Sequence, residues 1–232
     1  MKRWQHRMFN IVGIVALALG MTTGIVYAET GTGTLRVEPY PCDRSNNQNA
    51  VVEFMLTRGD LDFGTVPPLG NTTVGSVLPL ALAVNAGCAA GGWTVDMKAG
   101  PFVSVYTDFS SQRLTLSLAS SQYDPDPHAV ADLEFFWRTH CPNPVPSDIP
   151  ALFHPITPTT VTFNANGELQ TPLVDASGST VECSPGAFRS YNRGMGNFVA
   201  EWNAELNLTG VGLEPGTTYQ SVLIVELNPS VI

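Results

Sequence analysis

Histidine and aspartate, side chains that often bind metals or move protons, are concentrated in one stretch of the chain. This stretch includes Asp124, Asp126, His128, Asp132 and His140. Carboxylates and imidazoles could together bind a divalent cation. Their spacing, however, matches no EF-hand, H-E-x-x-H or zinc-finger motif, and Asp-Pro pairs are ordinary turn formers. We therefore expect a solvated loop here and no metal site.

Motifs for nucleophilic catalysis are absent from the sequence. The chain has no G-x-S-x-G elbow, no P-loop and no paired carboxylates in a familiar context. Apart from His6, its histidines are His128, His140 and His154, all within one proline-rich stretch. Because a fold can assemble a Ser-His-Asp triad from distant residues, an enzyme stays among the hypotheses. The sequence nevertheless favours a protein that is not an enzyme and that uses no cofactor.

The four cysteines of the chain, Cys42, Cys88, Cys141 and Cys183, form an even set without a C-x-x-C pair. Zinc ribbons and thioredoxin-like sites use that pair, so neither is expected. In an exported chain an even count indicates two disulfides, and three pairings are possible. We favour Cys141–Cys183, which would tie down a long excursion, together with Cys42–Cys88.

The first 28 residues have the pattern of an export signal. Lys2, Arg3 and Arg7 supply the positive start, and an apolar run follows at residues 11–21. Small residues precede the bond after Ala28, where we expect cleavage. The alternative is an uncleaved anchor, but the apolar run is shorter than the roughly 20 residues that span a bilayer.

The charge of the chain excludes some partners. The net charge is −9, and loss of the three basic residues of the signal would make it −12. Nucleic acids and anionic membrane surfaces require basic patches, so neither is expected as a partner. Only 13% of the residues are charged, which is low for a cytosolic protein.

Apolar residues alternate with polar ones through most of the chain, as they do in strands with one buried face. Turn signals rich in glycine, proline and asparagine separate these segments. The pattern predicts an all-β fold, an antiparallel β-sandwich. The predicted strands are residues 50–57, 77–84, 93–97, 102–106, 114–118, 133–137, 159–163, 198–209 and 219–227.

One segment interrupts the strand pattern. Residues 122–158 contain eight prolines and every histidine beyond His6. Proline cannot sit in the middle of a sheet, so this segment is predicted to be mostly loop or edge. We expect a long proline-rich excursion from the β scaffold, and no confident amphipathic helix in the chain.

Trp93 can be either a structural or a ligand-binding residue. It shares one face of a predicted strand with Val95 and Met97, which favours burial. We expect its ring to be mostly buried with one edge available, and Trp93→Ala to cost about 3–5 kcal/mol of stability. The other large aromatic residues expected in the core are Trp137, Trp202 and Tyr219.

Five short motifs follow one another in a characteristic order. Residues 59–65 read G-D-L-D-F-G-T, residues 91–95 read G-G-W-T-V, and a glycine-rich segment follows at 193–196. Residues 213–219 read L-E-P-G-T-T-Y and precede V-E-L at 225–227. In order and position these motifs resemble the WxL domain of Gram-positive bacterial cell-surface proteins. The resemblance spans residues 59–229.

The resemblance implies non-covalent attachment to cell-wall peptidoglycan through two W-x-L motifs. Each motif is half kept, because only one of its two characteristic residues is present. Trp93 is present but Val95 stands in place of leucine, and Leu227 is present but Val225 stands in place of tryptophan. The binding residues implied by the family are Trp93, Thr94, Val95, Tyr219, Val225, Glu226 and Leu227.

The predicted organisation has three parts. A signal peptide occupies residues 1–28, and an extended segment with the first strand occupies 29–58. A WxL-like β domain follows at 59–232, with the Pro/His-rich insertion at 122–158. The protein is then secreted to the cell surface, without a membrane span once the signal is removed. Its partner is a cell-wall polymer or another surface protein.

A pilin-like or surface-layer subunit is the alternative function. It is favoured by the acidic, exported, all-β character of the chain and by the extended piece at residues 31–40. Such a piece could add a strand to a neighbouring molecule.

Overall fold

The structure is a computed structural model that describes residues 24–30, 51–59, 61–66, 69–70, 72–87 and 92–229. Strands dominate, and they confirm the predicted all-β class. The strands are β1 (Gly24–Thr30), β2 (Val51–Arg58), β3 (Leu61–Val66), β4 (Leu69–Gly70), β5 (Thr73–Gly75), β6 (Leu80–Gly87), β7 (Trp93–Ala99), β8 (Phe102–Val103), β9 (Asp108–Phe109), β10 (Leu114–Pro125), β11 (Thr160–Thr162), β12 (Val174–Ala176), β13 (Gly178–Ser184), β14 (Ala187–Asn192), β15 (Gly196–Asn207), β16 (Val211–Gly212) and β17 (Thr218–Pro229). The helices are α1 (Pro127–His140) and α2 (Ile149–Leu152), and Ser111–Arg113 forms a 3-10 turn.

Two sheets form the sandwich. The first has the order β12–β7–β17–β1–β3, with β8 on β17 and β9 on β8. Its pairs are antiparallel except that β1 and β17 run parallel. The second sheet has the order β11–β10–β15–β6–β2, with β5 on β15, and its pairs are antiparallel. The predicted antiparallel β-sandwich is thus confirmed.

Alternating burial places the main core between the two sheets. In β15 every second residue from Phe198 to Leu206 is buried, and the residues between them are more exposed. β17 buries Tyr219, Ser221 and Leu223 in the same way. Since successive side chains of a strand point to opposite faces, this pattern turns one face of each sheet towards the other.

The expectation of a mostly irregular excursion is wrong at α1, which has 14 residues. Its start is built from the residues that suggested a loop: Pro127 takes the first turn, and the Asp126 carboxylate accepts a hydrogen bond from the backbone N–H of His128 at 2.7 Å. The strand predicted at residues 133–137 is therefore helical. Proline density misled the prediction because no proline lies between Pro127 and Pro142.

A small second core holds this helix in place. Leu133 of α1 packs with Ile149 and Phe153, next to side chains from the β13–β14 hairpin. A disulfide joins Cys141, at the end of α1, to Cys183 in β13, with Cα atoms 5.5 Å apart. That predicted pairing is confirmed. The predicted partner bond, between cysteines 42 and 88, lies outside the described residues.

Most predicted strands are present with shifted bounds. Residues 198–209 and 219–227 correspond to β15 and β17, and residues 77–84 to the later-starting β6. The segment predicted at 102–106 forms only the short β8. Most of the predicted signal lies outside the described residues, but its last five residues belong to β1, which contains the bond after Ala28.

Candidate binding surface on the first sheet

The two half-kept motifs meet in the structure although about 130 residues separate them in the chain. They lie on the neighbouring antiparallel strands β7 and β17, where Val95 is opposite Leu227 and Met97 is opposite Val225. Trp93 faces Pro229 at the end of the same ladder. The motifs therefore form one paired element of the sheet.

The first motif, at residues 93–95, contributes two side chains to the hydrophobic core. Trp93 and Val95 are completely buried, so the ring edge that we expected to be available is not exposed. The indole N–H donates to the Gly194 carbonyl oxygen at 3.3 Å, and the ring packs against Phe198 with centroids 6.2 Å apart. Because the ring is completely buried, it cannot serve as a platform for a ligand.

Gly194 makes this close approach possible. Its φ of +68° is a left-handed conformation that favours glycine. A Cβ added there would lie 2.7 Å from a Trp93 ring carbon and 2.6 Å from the Ala176 Cβ. Packing against Trp93 and Ala176 therefore requires glycine at position 194.

Tyr219 is also completely buried. Its hydroxyl accepts a hydrogen bond from the Glu214 backbone N–H at 2.9 Å and shares a second, 2.8 Å bond with the Thr107 hydroxyl. Phe109 packs against its ring with centroids 5.5 Å apart. Tyr219 therefore fixes the loops around the start of β17 and is not free to bind a ligand.

The residues between the buried positions face outwards. On β7 these are Thr94, Asp96 and Lys98, and on β17 they are Glu226 and Asn228. We call these five residues the outer ladder face. The strand register puts Asn228 opposite Thr94 and Glu226 opposite Asp96. All five are at least partly exposed.

Hydrogen bonds and one ion pair organise the outer ladder face. The Asn228 side-chain amide donates to Asp96 Oδ2 at 2.8 Å, and the Thr94 hydroxyl donates to the same oxygen at 3.4 Å. Lys98 Nζ lies 3.7 Å from Glu226 Oε2. The two carboxylates are directly opposite each other, and each is compensated by a donor from a neighbouring position.

The surroundings of this face are acidic. Asp175 of β12 is the register neighbour of Thr94, and the backbone of Glu168 forms an isolated antiparallel β-bridge with that of Lys98. Besides Lys2, Lys98 is the chain's only lysine. The face therefore presents carboxylate acceptors with a few donors, a set that can hydrogen-bond hydroxyl, amide and ammonium groups.

The other implied binding residues divide between the two faces of β17. Val225 and Leu227 are half-buried and pack against the main core, whereas Glu226 is on the outer side. Asp96, Lys98 and Asn228 were not predicted as site residues. The alternation that predicted burial of Trp93 and Val95 could have identified them, because it sends the next residues outwards.

The histidine and aspartate candidates have structural positions. Asp126 caps α1, His140 stacks on Phe136 at the other end of the helix, and Asp132 is exposed. His154 is half-buried and contacts the ring of Tyr123. Among the described residues no group of three or more His, Cys, Asp or Glu is placed to hold a metal ion.

Trp137, expected in the core, lies half-buried on α1 instead. No helix in the described parts of the chain has the length and apolar character needed to cross a bilayer.

Comparison with known proteins adds no relative: no family model, curated protein or solved structure matches the chain.

Proposed function

We propose that the chain is an exported, non-enzymatic bacterial cell-surface protein whose WxL-like domain attaches non-covalently to cell-wall peptidoglycan or another surface polymer. The observation that carries this proposal is the pairing of the two half-kept motifs in the β7–β17 ladder. Two segments that are distant in the chain form one structural unit there, as expected for motifs that act together.

We infer different tasks for the residues of each motif. Trp93, Val95 and Leu227 anchor the ladder in the core, so their loss is expected to affect folding. The outer ladder face, which includes Thr94 and Glu226, is the part that contacts the polymer. Peptidoglycan offers sugar hydroxyls, peptide amides and amino groups, which match the carboxylate, amide and hydroxyl groups of this face.

The disulfide between Cys141 and Cys183 supports the export part of the proposal. Disulfides persist mainly in oxidising compartments such as the cell exterior. Attachment to the cell wall, as opposed to release from the cell, rests on the WxL resemblance.

Sedimentation with purified sacculi tests the proposal. The secreted protein is mixed with sacculi and centrifuged, and we expect it in the pellet. The double variant Asp96→Asn, Glu226→Gln should bind about tenfold more weakly, because it removes two charged acceptors. The matched control Glu205→Gln lies on β15 in the other sheet and should bind as the unmodified protein does.

Two results would contradict the proposal at different points. If the unmodified protein stays in the supernatant, attachment to peptidoglycan is wrong. If the double variant sediments as well as the unmodified protein, the polymer is bound elsewhere and the assignment of the outer ladder face is wrong.

The second candidate function is a pilin-like or surface-layer subunit that assembles by β-strand addition. It is favoured by the position of β1 between β3 and β17, because export cleavage after Ala28 would remove most of this strand and leave a place that a neighbouring molecule's strand could fill. Light scattering over a range of protein concentrations distinguishes the candidates. Growing assemblies support the subunit, and a monomer at high concentration contradicts it.

A further inference from the structure

β1 lies between β3 and β17 and pairs with both. Ala28 is opposite Leu61 on one side and Ser221 on the other, and Val26 is opposite Tyr219. In the described part of the first sheet, β3 pairs with no other strand, so β1 connects it to the rest of the sheet. The core residues that depend on this connection are Leu61, Phe63 and Val66.

Export cleavage after Ala28 would cut through β1. Only Glu29 and Thr30 of this strand would stay on the mature chain. The facing edges of β3 and β17 would then expose unpaired backbone groups beside buried apolar residues, which is unfavourable. The mature protein therefore requires another strand at this position.

The sequence just after the cleavage point repeats the pattern of the lost strand. Residues 24–29 read G-I-V-Y-A-E, and residues 33–38 read G-T-L-R-V-E. Both segments begin with glycine, end with glutamate and have apolar residues at the third and fifth positions. A strand of either sequence would place the apolar residues at its third and fifth positions on one side.

We propose that in the mature protein residues 33–38 of the same chain replace residues 24–29 between β3 and β17. This inference rests on the export step of the proposed function. The replacement puts Leu35 opposite Tyr219, and Val37 between Leu61 and Ser221, all of which are buried.

The same register supplies a charge match. Tyr27 is opposite Asp62, so Arg36 takes the position beside that exposed carboxylate. Opposite charges on neighbouring strands stabilise a sheet. In the described structure, Asp62 accepts a hydrogen bond from the Gly64 N–H and has no ion-pair partner among the described residues.

The remaining chain is long enough for this arrangement. The end of β1 lies beside Leu61, close to the end of β2, and the chain must return along β2 to reach Val51, roughly 24 Å away. Residues 39–50 can span about 40 Å when extended. Because the segment is tethered to its own sheet, its effective concentration there exceeds that of a neighbouring molecule's segment.

Two substitutions at adjacent positions test the proposed strand. Leu35→Asp places a charge on the core side, and we expect the secreted protein's Tm to fall by about 5 °C or more. Thr34→Asp places the same charge on the outer side and should change Tm little. In the unmodified protein, the amides of residues 34–38 should be protected from hydrogen exchange.

The outcomes separate the export step from the strand replacement. N-terminal sequencing that finds residues 1–28 still attached overturns both the cleavage after Ala28 and the strand replacement. A cleaved chain with unprotected amides at residues 34–38, and equal Tm values for the two variants, overturns the replacement while export stands.

Cross-linking tests whether the strand comes from the same chain. In the double variant Arg36→Cys, Asp62→Cys, we expect a bond within one molecule, seen as a monomer on a non-reducing gel and mapped by mass spectrometry. A ladder of cross-linked oligomers would show that a second copy supplies the strand and would overturn the same-chain assignment.

Discussion

Two completely buried tryptophans differ by one hydrogen bond. The Trp93 indole N–H reaches the Gly194 carbonyl, whereas the buried Trp202 N–H has no partner among the described residues. A buried donor without a partner costs roughly 1–3 kcal/mol. Burial of the two rings therefore stabilises the protein to a similar extent, whereas the two indole N–H groups contribute differently to its stability.

We predict that Trp93→Phe lowers the free energy of unfolding more than Trp202→Phe does, by about 1 kcal/mol. Both substitutions leave a smaller ring in a closed core, so the loss of packing is comparable. Only Trp93→Phe also leaves the Gly194 carbonyl without its donor. Urea unfolding of both variants measures the difference, and equal losses would contradict the assigned role of the hydrogen bond.

Tyr123 makes the stability of the protein decrease at alkaline pH. Burial raises the pKa of its hydroxyl above the ordinary value of 10.0, and the Asp126 and Asp124 carboxylates raise it further. The folded protein thus holds the proton more tightly than the unfolded chain does. Stability from this group is complete below about pH 10 and is lost as the pH rises further.

We expect Tyr123→Phe to reduce the loss of stability between pH 8 and pH 11. At pH 8 the variant should be less stable by about 1 kcal/mol, because the Tyr123 hydroxyl donates to the Met195 carbonyl at 2.6 Å. The control is Tyr106→Phe, at an exposed position. The same loss in the Tyr123 variant and the unmodified protein would contradict this prediction.

At the scale of elements, sequence patterns predicted strands with strong alternation and missed those without it. β15 and β17 alternate over long segments, so they were found. The β13–β14 hairpin was not predicted because its exposed strands lack an apolar face. α1 was missed for another reason: Leu133 is its only fully buried residue, so it lacks a wide apolar stripe.

The N-cap of α1 can be tested separately from its charge. We predict that Asp126→Ala destabilises the protein by about 1 kcal/mol, because the first turn loses an acceptor for its backbone N–H groups. Asp132→Ala removes the same charge from an exposed position within the helix and should be neutral. Equal effects in thermal unfolding would show that charge, not capping, is what matters.

At the scale of the whole molecule, the sandwich architecture could be predicted from the sequence, but the choice of which strands lie side by side could not. Alternation is a local pattern, so it indicates which faces are buried. It does not show that β17 lies beside β7, or that Gly194 closes over Trp93, because these contacts join distant parts of the chain. The WxL resemblance implied a joint role for the two motifs, whereas the alternation indicates that Thr94 and Glu226 face outwards.

Net charge should determine how the whole molecule responds to salt. The chain has 20 acidic and 11 basic residues, so its carboxylates repel one another. The ion pairs among the described residues, Arg58–Glu201, Lys98–Glu226 and Arg138–Glu134, are exposed and each contribute at most about 1 kcal/mol. Screening therefore removes more repulsion than attraction.

We predict that Tm rises by a few degrees, on the order of 2–4 °C, between 10 and 150 mM NaCl. Chloride is the appropriate anion because sulfate also strengthens apolar burial. Two variants locate the effect: Glu205→Gln removes an exposed carboxylate without an ion-pair partner among the described residues and should raise Tm slightly at low salt. Glu201→Gln breaks the pair with Arg58 and should not. A Tm that falls with added NaCl would mean that the ion pairs outweigh the repulsion.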